Sequence, residues 1–209
     1  MRKILICITI SAALALAGTA SAGDWPNSHF DTAAAAISGH PTHVWCESSW
    51  SDWVHVGDEI GDDWGNVFGV TAPDTTSVFV NPDVCFSLHL LLAGADVGTV
   101  RAAQALLTLA HESEHQAGLW DEGQAECAAL PKVEDLAVGY FGIQAMVMRP
   151  YTAIAKKKVG VRVGKHTVIR SVTMKVIKYR NVRNPWLTRL VGDAQAWHDS
   201  APSQYRTYC

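Results

Sequence analysis

The chain contains 209 residues and carries a formal net charge of −3 at pH 7. This length is sufficient for one domain with a substantial hydrophobic core, and it does not require two. The sequence has no internal repeats and no long low-complexity tract, which excludes a repeat architecture.

The first 22 residues have the pattern of a secretory signal. A basic start precedes an apolar run over residues 4–18, and small residues at 20–22 follow. The apolar run is shorter than the ~20 residues that span a membrane, so a retained anchor is the less favoured interpretation. We therefore predict cleavage after Ala22. This leaves one secreted domain, residues 23–209, outside the cell or in the cell envelope and without a transmembrane span.

Four cysteines, Cys46, Cys85, Cys127 and Cys209, follow the predicted signal. An even number of cysteines in an oxidising compartment predicts two disulfides, and three pairings are possible. We favour Cys46–Cys85 together with Cys127–Cys209, because the second bond would attach the C-terminus to a helix that carries candidate functional residues. The alternative for Cys127 is a buried thiol.

The N-terminal part of the predicted domain contains short elements. The sequence predicts a short helix at Thr32–Ile37. Short strands are expected within residues 44–53 and 66–84, where apolar and β-branched runs are interrupted by turn residues at 61–63 and 73–74. Four tryptophans lie in this part, and in a small domain they are more often core residues than sugar-stacking platforms: Trp45, Trp50, Trp53 and Trp64.

Helical patterns begin after Pro82. Asp83 is the expected cap of a first helix that ends near Gly94. A second, rich in alanine and leucine, runs from about Gly98 to Gln116 and ends at Gly118. A third covers residues 121–130, and a fourth is expected from Val133 to Met148. Together with the preceding strands, these helices predict an α+β fold with a helical centre.

A basic segment follows the predicted helices. Residues 159–182 alternate β-branched and basic side chains about Gly164-Lys165, which predicts a C-terminal β-hairpin. Residues 156–183 contain ten Lys and Arg and no acid, whereas residues 23–147 contain eighteen acids and two basic residues. We favour an intramolecular role, in which the two oppositely charged parts complement each other. The alternative is a contact surface for an anionic polymer, such as wall polysaccharide, nucleic acid or anionic lipid.

The second predicted helix ends in the pattern H-E-x-x-H. His111 and His115 are four residues apart, so both imidazoles lie on one helix face and can bind one metal ion. Glu112 is rotated by about 100° from His111, where it can take a proton from a water whose pKa the metal lowers to about 7. Leu107 and Ala103 lie on the histidine face at earlier turns. The alternative is a pair of hydrogen-bonded core histidines.

This motif and the helix after it resemble the glutamate-ligand (gluzincin) branch of the zincin metallopeptidases. In that family a second helix carries a ligand glutamate, and an acid four residues later orients one histidine. The resemblance covers about seventeen residues and implies that His111, His115 and Glu122 bind Zn²⁺. It also implies that Glu112 is the general base and that Glu126 accepts an imidazole N–H. With the predicted signal, the pattern also resembles secreted bacterial proteins to which no substrate is assigned.

A second resemblance implies a different third metal ligand. The spacing from His111 through Gly118 to Asp121 resembles the metzincin branch in its aspartate variant. That branch has a methionine turn beneath the metal, whereas Met146 and Met148 lie in a predicted helix. We therefore favour Glu122 over Asp121.

These patterns predict a secreted zinc-dependent hydrolase, with a peptide or protein as substrate. The alternative is a non-catalytic secreted binding module with a structural metal or none, in which residues 156–183 form the contact surface. A peptidase also needs a group that stabilises the oxyanion. The sequence does not choose among five candidates: Tyr140, Tyr151, His166, His198 and Tyr205. It also predicts no oligomeric state.

Overall fold

The computed structural model describes residues 25–26, 28–47, 49–60, 67–73, 75–163, 165–206 and 208–209. The predicted signal at residues 1–22 and the predicted turn at residues 61–63 lie outside these ranges. Trp64 lies outside them as well.

Helices and short strands alternate along the first part of the chain, and a long hairpin follows. The helices are α1 Ser28–Ser38, α2 Trp50–Ile60, α3 Pro82–Leu92, α4 Thr99–Gln116, α5 Glu122–Ala129, α6 Lys132–Gly139, α7 Pro185–Ser200 and α8 Ser203–Arg206. The strands are β1 Trp25–Pro26, β2 His43–Cys46, β3 Gly69–Thr71, β4 Ser77–Val80, β5 Met146–Val163 and β6 His166–Arg183. This composition confirms the predicted α+β fold class.

The chain divides into two compact units. The first comprises the described residues up to Ile143 together with Pro185–Cys209, and the second is Gln144–Asn184. The second unit is therefore an insertion between α6 and α7 of the first.

The sheet of the first unit has the strand order β1-β2-β4-β3. Strand β2 pairs parallel with β4, while β1 and β3 pair antiparallel with β2 and β4. Val44, Val78 and Val80 are fully buried, because alternate residues of β2 and β4 point to the core face of the sheet. Among the described residues β3 forms one edge of this sheet, and it packs against α4.

Helix α4 is the centre of the first unit. Buried side chains continue around it from Ala102 to His115, apart from Gln104, so it is enclosed by α1, α3, α5, α6, α7 and the sheet. A helix that is buried on all sides needs apolar residues around its whole circumference, and the alanine- and leucine-rich sequence of α4 supplies them. The candidate motif lies in its last two turns.

Both favoured disulfides are present. Cys46–Cys85 joins β2 to α3, and Cys127–Cys209 joins α5 to the C-terminus. The predicted pairing is confirmed.

Residues 50–53, which we expected to continue a strand, instead begin α2. Ser49 lies before the first turn, and its hydroxyl accepts a hydrogen bond from the Asp52 N–H and donates one to the Asp52 carboxylate. This reciprocal contact stabilises a helix start. Trp53 is fully buried, as expected of a core tryptophan, whereas Trp50 is exposed.

Two helices, α3 and α1, differ from their predictions in detail. Asn81, not Asp83, caps α3, because its side chain accepts the Val84 N–H and donates to the Val67 carbonyl. Helix α1 begins at Ser28 and is longer than the predicted helix Thr32–Ile37. Helices α4 and α5 lie where they were predicted, and Gly118 has a positive φ of 97° between them.

The fourth predicted helix, Val133–Met148, is too long. Helix α6 ends at Gly139, Gly142 has a φ of 69°, and Met146 already belongs to β5. A left-handed glycine breaks the helical path at little cost, which frees the following residues to extend. The C-terminal helix α7 was not predicted.

The second unit is the predicted hairpin, and it is longer than expected. Strands β5 and β6 pair in continuous register from Met146↔Arg183 to Val163↔His166. Most of its side chains are exposed.

Candidate metal centre

The last two turns of α4 carry His111, Glu112 and His115, and all three side chains are buried. The two imidazole rings lie edge to face, with their centroids 4.6 Å apart. Residues four apart on a helix occupy one face, so this pairing follows directly from the spacing.

Helix α5 brings a carboxylate to the two histidines. Glu122 Oε2 lies 3.1 Å from His111 Nε2 and 3.6 Å from His115 Nε2. One potential ligand atom from each of these three residues lies within 4.8 Å of the others, so the group could hold a metal ion. The turn at Gly118 allows this approach, because it reverses the chain between α4 and α5.

Asp121, the metzincin-like alternative, is positioned elsewhere. Its Oδ1 accepts the Gln124 N–H and thereby caps α5, while its Oδ2 accepts a hydrogen bond from the Tyr208 hydroxyl. Its side chain is exposed and does not belong to the converging group.

Glu126 lies one turn beyond Glu122 and contacts the other nitrogen of His111. Its Oε2 is 3.0 Å from His111 Nδ1, and the carboxylate is buried. A carboxylate at Nδ1 orients the imidazole and favours a lone pair on Nε2, where a metal would bind. The second oxygen, Oε1, lies 3.7 Å from His198 Nδ1 on α7.

Opposite charges balance each other within this cluster. Burial by itself lowers the pKa of His111, but hydrogen bonds to Glu122 and Glu126 and the charge of Glu112 raise it to about 10. Burial raises the pKa of Glu122, but the hydrogen bond with His111 and the nearby His115 ring lower this pKa by more, so the net shift is downward. Without a metal, a protonated His111 therefore bridges two carboxylates. A divalent cation would take the place of the proton on Nε2.

Two buried polar atoms of the cluster support a metal. His115 Nε2 and Glu122 Oε1 have no hydrogen-bond partner among the described residues. The other nitrogen of His115, Nδ1, donates to the Leu119 carbonyl at 2.6 Å, so Nε2 presents its lone pair to the cluster. A buried polar atom without a partner is costly, and a metal bound by both atoms would remove that cost. The donor set therefore fits a metal ion.

Strand β3 holds Glu112 in place. The Thr71 hydroxyl lies 2.9 Å from Glu112 Oε2 and 2.8 Å from its backbone carbonyl oxygen, so it can donate to either. Gly69 packs so closely that a Cβ atom there would lie 2.7 Å from Glu112 Cγ. These two contacts were not predicted, because they join residues about forty positions apart in the sequence.

Trp120 covers the other side of the cluster. Its ring lies parallel to that of His115, with the centroids 5.8 Å apart and the planes at 9°. Trp120 exposes 41% of its surface and the Glu122 side chain 18%, whereas both histidines are buried. Among these residues, solvent therefore approaches the cluster from the side of Glu122 and Trp120. No local sequence signal indicated this role for Trp120.

One of the proposed oxyanion-stabilising residues lies near the motif. The Tyr205 ring on α8 is buried, with its centroid 6.4 Å from that of His111. His198 contacts Glu126 instead, and the Tyr140 backbone carbonyl is contacted by the ring of His29. Tyr151 and His166 belong to the hairpin unit.

Two other features of the first unit do not belong to this centre. Cys46, Cys85 and His89 also lie close together, but the cysteines form a disulfide and so offer no thiolate ligand. A cavity of about 910 Å³ is lined by residues that include Phe68, Arg101 and Trp197, but by none of the three candidate ligands. It is therefore not the open side of the centre.

Comparison of the chain with protein-family models, with curated proteins and with solved structures finds no match. The interpretation of the site therefore rests on its own geometry.

Proposed function

We propose that this protein is a secreted zinc-dependent hydrolase that cleaves peptide bonds. The convergence of His111, His115 and Glu122, with His115 Nε2 and Glu122 Oε1 lacking other partners, is the observation that carries this proposal. Two imidazoles and one carboxylate form a donor set that zinc favours in catalytic sites. Such sites keep one coordination position open.

Each residue has a distinct role in the proposed reaction. His111, His115 and Glu122 hold Zn²⁺, which supplies Lewis-acid chemistry that acidifies water and polarises a carbonyl group. Glu112 accepts the proton of the attacking water at a carboxylate oxygen and passes it to the leaving amine. Glu126 keeps the His111 ring oriented through Nδ1. Thr71 keeps the Glu112 carboxylate in position.

The proposed secretion agrees with two structural features. The two disulfides are of the kind that persists in oxidising compartments. Among the described residues, no helix is both long enough and apolar enough to span a membrane. The secretory signal at residues 1–22 stays part of the proposal.

Burial of the cluster favours a second candidate function. His111 and Glu112 are fully buried, and His115 nearly so, and a closed centre is typical of a structural metal. In this alternative the protein is a non-catalytic secreted binding module that contacts its partner through residues 156–183. Hydrolysis by the wild type separates the two candidates.

The test compares zinc content and peptidase activity in three variants. We expect wild type to bind about one zinc per chain and the His111→Ala, His115→Ala double variant to bind none. Glu112→Gln should keep the zinc and lose about 10²–10⁴-fold in activity on a peptide library, because an amide cannot accept the proton. Metal analysis and peptide cleavage measure both effects.

Glu114→Gln is the matched control, since Glu114 is a buried acid on the same helix. Gln keeps the size and shape of Glu114, which is neither a candidate ligand nor the proposed base, so both zinc content and activity should be retained. Loss of zinc in Glu112→Gln would identify Glu112 as a ligand and contradict the proposed roles. Zinc binding without hydrolysis by wild type would favour the binding module.

A further inference from the structure

The hairpin unit is a long two-stranded ribbon whose side chains are mostly exposed. Strands β5 and β6 each contain 18 residues, so the ribbon extends over roughly 60 Å. Among the described residues the two strands pair only with each other. A two-stranded ribbon is marginally stable in water, so an exposed ribbon of this length is better explained by a bound partner.

Both faces of this ribbon expose large apolar side chains, and the five most exposed of them lie on one face. Residues opposite each other in an antiparallel pair point to the same side, and the register runs without interruption from Met146↔Arg183 to Val163↔His166. Six side chains on this side, here called the isoleucine face, each expose between 51% and 74% of their surface: Met146, Met148, Ile154, Ile169, Ile177 and Tyr179. All of them except Ile169 lie close together, within the pairs from Met146↔Arg183 to Ile154↔Lys175, and an exposed apolar patch of this kind marks an interaction site.

Basic side chains alternate with the apolar ones on the isoleucine face. Ile154 is paired with Lys175, and Met146 with Arg183. The same side carries Lys156, Lys158 and Arg162. Residues 144–184 contain eleven Lys and Arg and no Asp or Glu, so the partner must be anionic.

The exposed aliphatic residues indicate which class of anionic partner the hairpin binds. Nucleic acids and polysaccharides are bound mainly through phosphate or hydroxyl contacts and aromatic stacking. Where apolar side chains enter a nucleic acid, they do so as wedges between base steps, which would leave most of the isoleucine face in water. An anionic lipid surface accounts for both the basic and the aliphatic side chains. Lysine and arginine bind the lipid headgroups, while aliphatic side chains enter the boundary of the acyl chains. The outer edges of β5 and β6 are unpaired in the described ribbon, so it must stay at the interface and not enter the hydrocarbon core.

We propose that the isoleucine face of the hairpin binds the surface of an anionic lipid bilayer. The ribbon lies flat in the headgroup region, with the aliphatic side chains directed into the membrane and the lysines and arginines at the phosphates. This inference is independent of the metal centre.

Vesicle co-sedimentation tests the proposal, with the chain that begins at Gly23 and so contains every residue that the structure describes. Wild type should bind vesicles that contain phosphatidylglycerol and not vesicles of phosphatidylcholine alone. The charge variant Lys156→Glu, Lys158→Glu, Lys175→Glu changes only residues of the isoleucine face and should bind at least about tenfold more weakly. The apolar variant Ile154→Thr, Ile169→Thr, Ile177→Thr keeps every charge and the β-branched shape, and its binding should also fall roughly tenfold.

A matched control makes the same kind of change on the opposite face. Val163→Thr, Val168→Thr and Val172→Thr lie on that face and should leave vesicle binding within about twofold of wild type. An equal loss in this control would refute the assignment of the isoleucine face. Thermal midpoints measured for all variants show whether the fold is retained.

Three further outcomes would overturn the proposal. The first is a wild type that does not bind phosphatidylglycerol vesicles. The second is loss of binding in the charge variant alone, which would identify a purely electrostatic partner such as nucleic acid or wall polysaccharide. The third is a lowered thermal midpoint in the charge variant with unchanged vesicle binding, which would identify an intramolecular role for the lysines.

Discussion

At the scale of single residues, the position of Glu112 depends on what surrounds it. Two contacts from β3 fix its buried carboxylate, one from the Thr71 hydroxyl and one from the backbone at Gly69. A general base must lie within hydrogen-bonding distance of its proton donor, so these contacts decide whether the acid can act. The residue type alone does not ensure this position.

Gly69→Ala should displace Glu112. The new Cβ would lie 2.7 Å from Glu112 Cγ and 2.9 Å from Oε1, so the side chain must shift. We expect peptidase activity to fall at least about tenfold while zinc stays bound, with a loss of about 1–3 kcal/mol in the free energy of unfolding. Activity, metal analysis and denaturant titration measure the three quantities.

Gly192→Ala is the control for this substitution. Gly192 lies within α7, and a Cβ there meets no atom within 4 Å. Alanine should stabilise the helix by about 0.5–1 kcal/mol and leave activity unchanged. Full activity in Gly69→Ala would show that the position of Glu112 is not essential.

At the scale of elements, the candidate metal centre is formed by a helix-turn-helix to which the C-terminal segment is attached. Helix α4 supplies the histidines, the turn at Gly118 reverses the chain, and α5 supplies Glu122 and Glu126. The Cys127–Cys209 disulfide then fixes the C-terminal segment beside α5, and α8 packs against α5 there. This arrangement places Tyr205 beside His111.

Replacing both Cys127 and Cys209 by serine should weaken metal binding as well as the fold. The bond closes a loop with a sequence separation of 82, so its loss should lower the free energy of unfolding by about 4 kcal/mol. Zinc affinity should fall about tenfold or more, because the segment that supports α5 is released. Denaturant titration and competition with a zinc chelator measure these two effects.

The other disulfide provides the comparison. Replacing Cys46 and Cys85 by serine removes a bond with a sequence separation of 39, which ties β2 to α3, and should cost a similar free energy. Because this bond joins β2 to α3 and neither cysteine belongs to α4 or α5, zinc affinity of the folded variant should be preserved. Equal loss of affinity in both variants would assign the effect to general destabilisation.

At the scale of the whole molecule, the metal should stabilise the first unit. The candidate ligands come from α4 and α5, and α4 contacts most other elements of that unit. Ligand binding to the native state at a concentration 100 times the Kd contributes about 2.7 kcal/mol. Removing zinc with a chelator should therefore lower the thermal midpoint of wild type by roughly 5–10 °C.

The His111→Ala, His115→Ala double variant is the control for this measurement. It lacks the metal, so the chelator should leave its midpoint unchanged. An equal chelator-induced shift in both proteins would place the stabilising metal elsewhere. Restoration of the wild-type midpoint by added zinc completes the test.

The sequence alone determined the features that depend on local spacing and composition. The apolar α4, the break at Gly118 and the α5 helix follow from helix propensity and from residues that end helices. The alternation of residues 159–182 identified the hairpin, and an even cysteine count identified two disulfides. The spacing of His111 and His115 placed their imidazoles together, since the geometry of one helix fixes it.

Only the tertiary structure decided the contacts between distant segments. We expected a strand around Trp50, and the burial of Trp53 in the core instead favours the helix α2. The contacts of Thr71 with Glu112 and of His198 with Glu126 join segments that only the packed core brings together. Local patterns indicate which residues share one element, whereas burial and pairing depend on elements that are far apart in the chain. The residues that surround the motif could therefore be identified only from the tertiary structure.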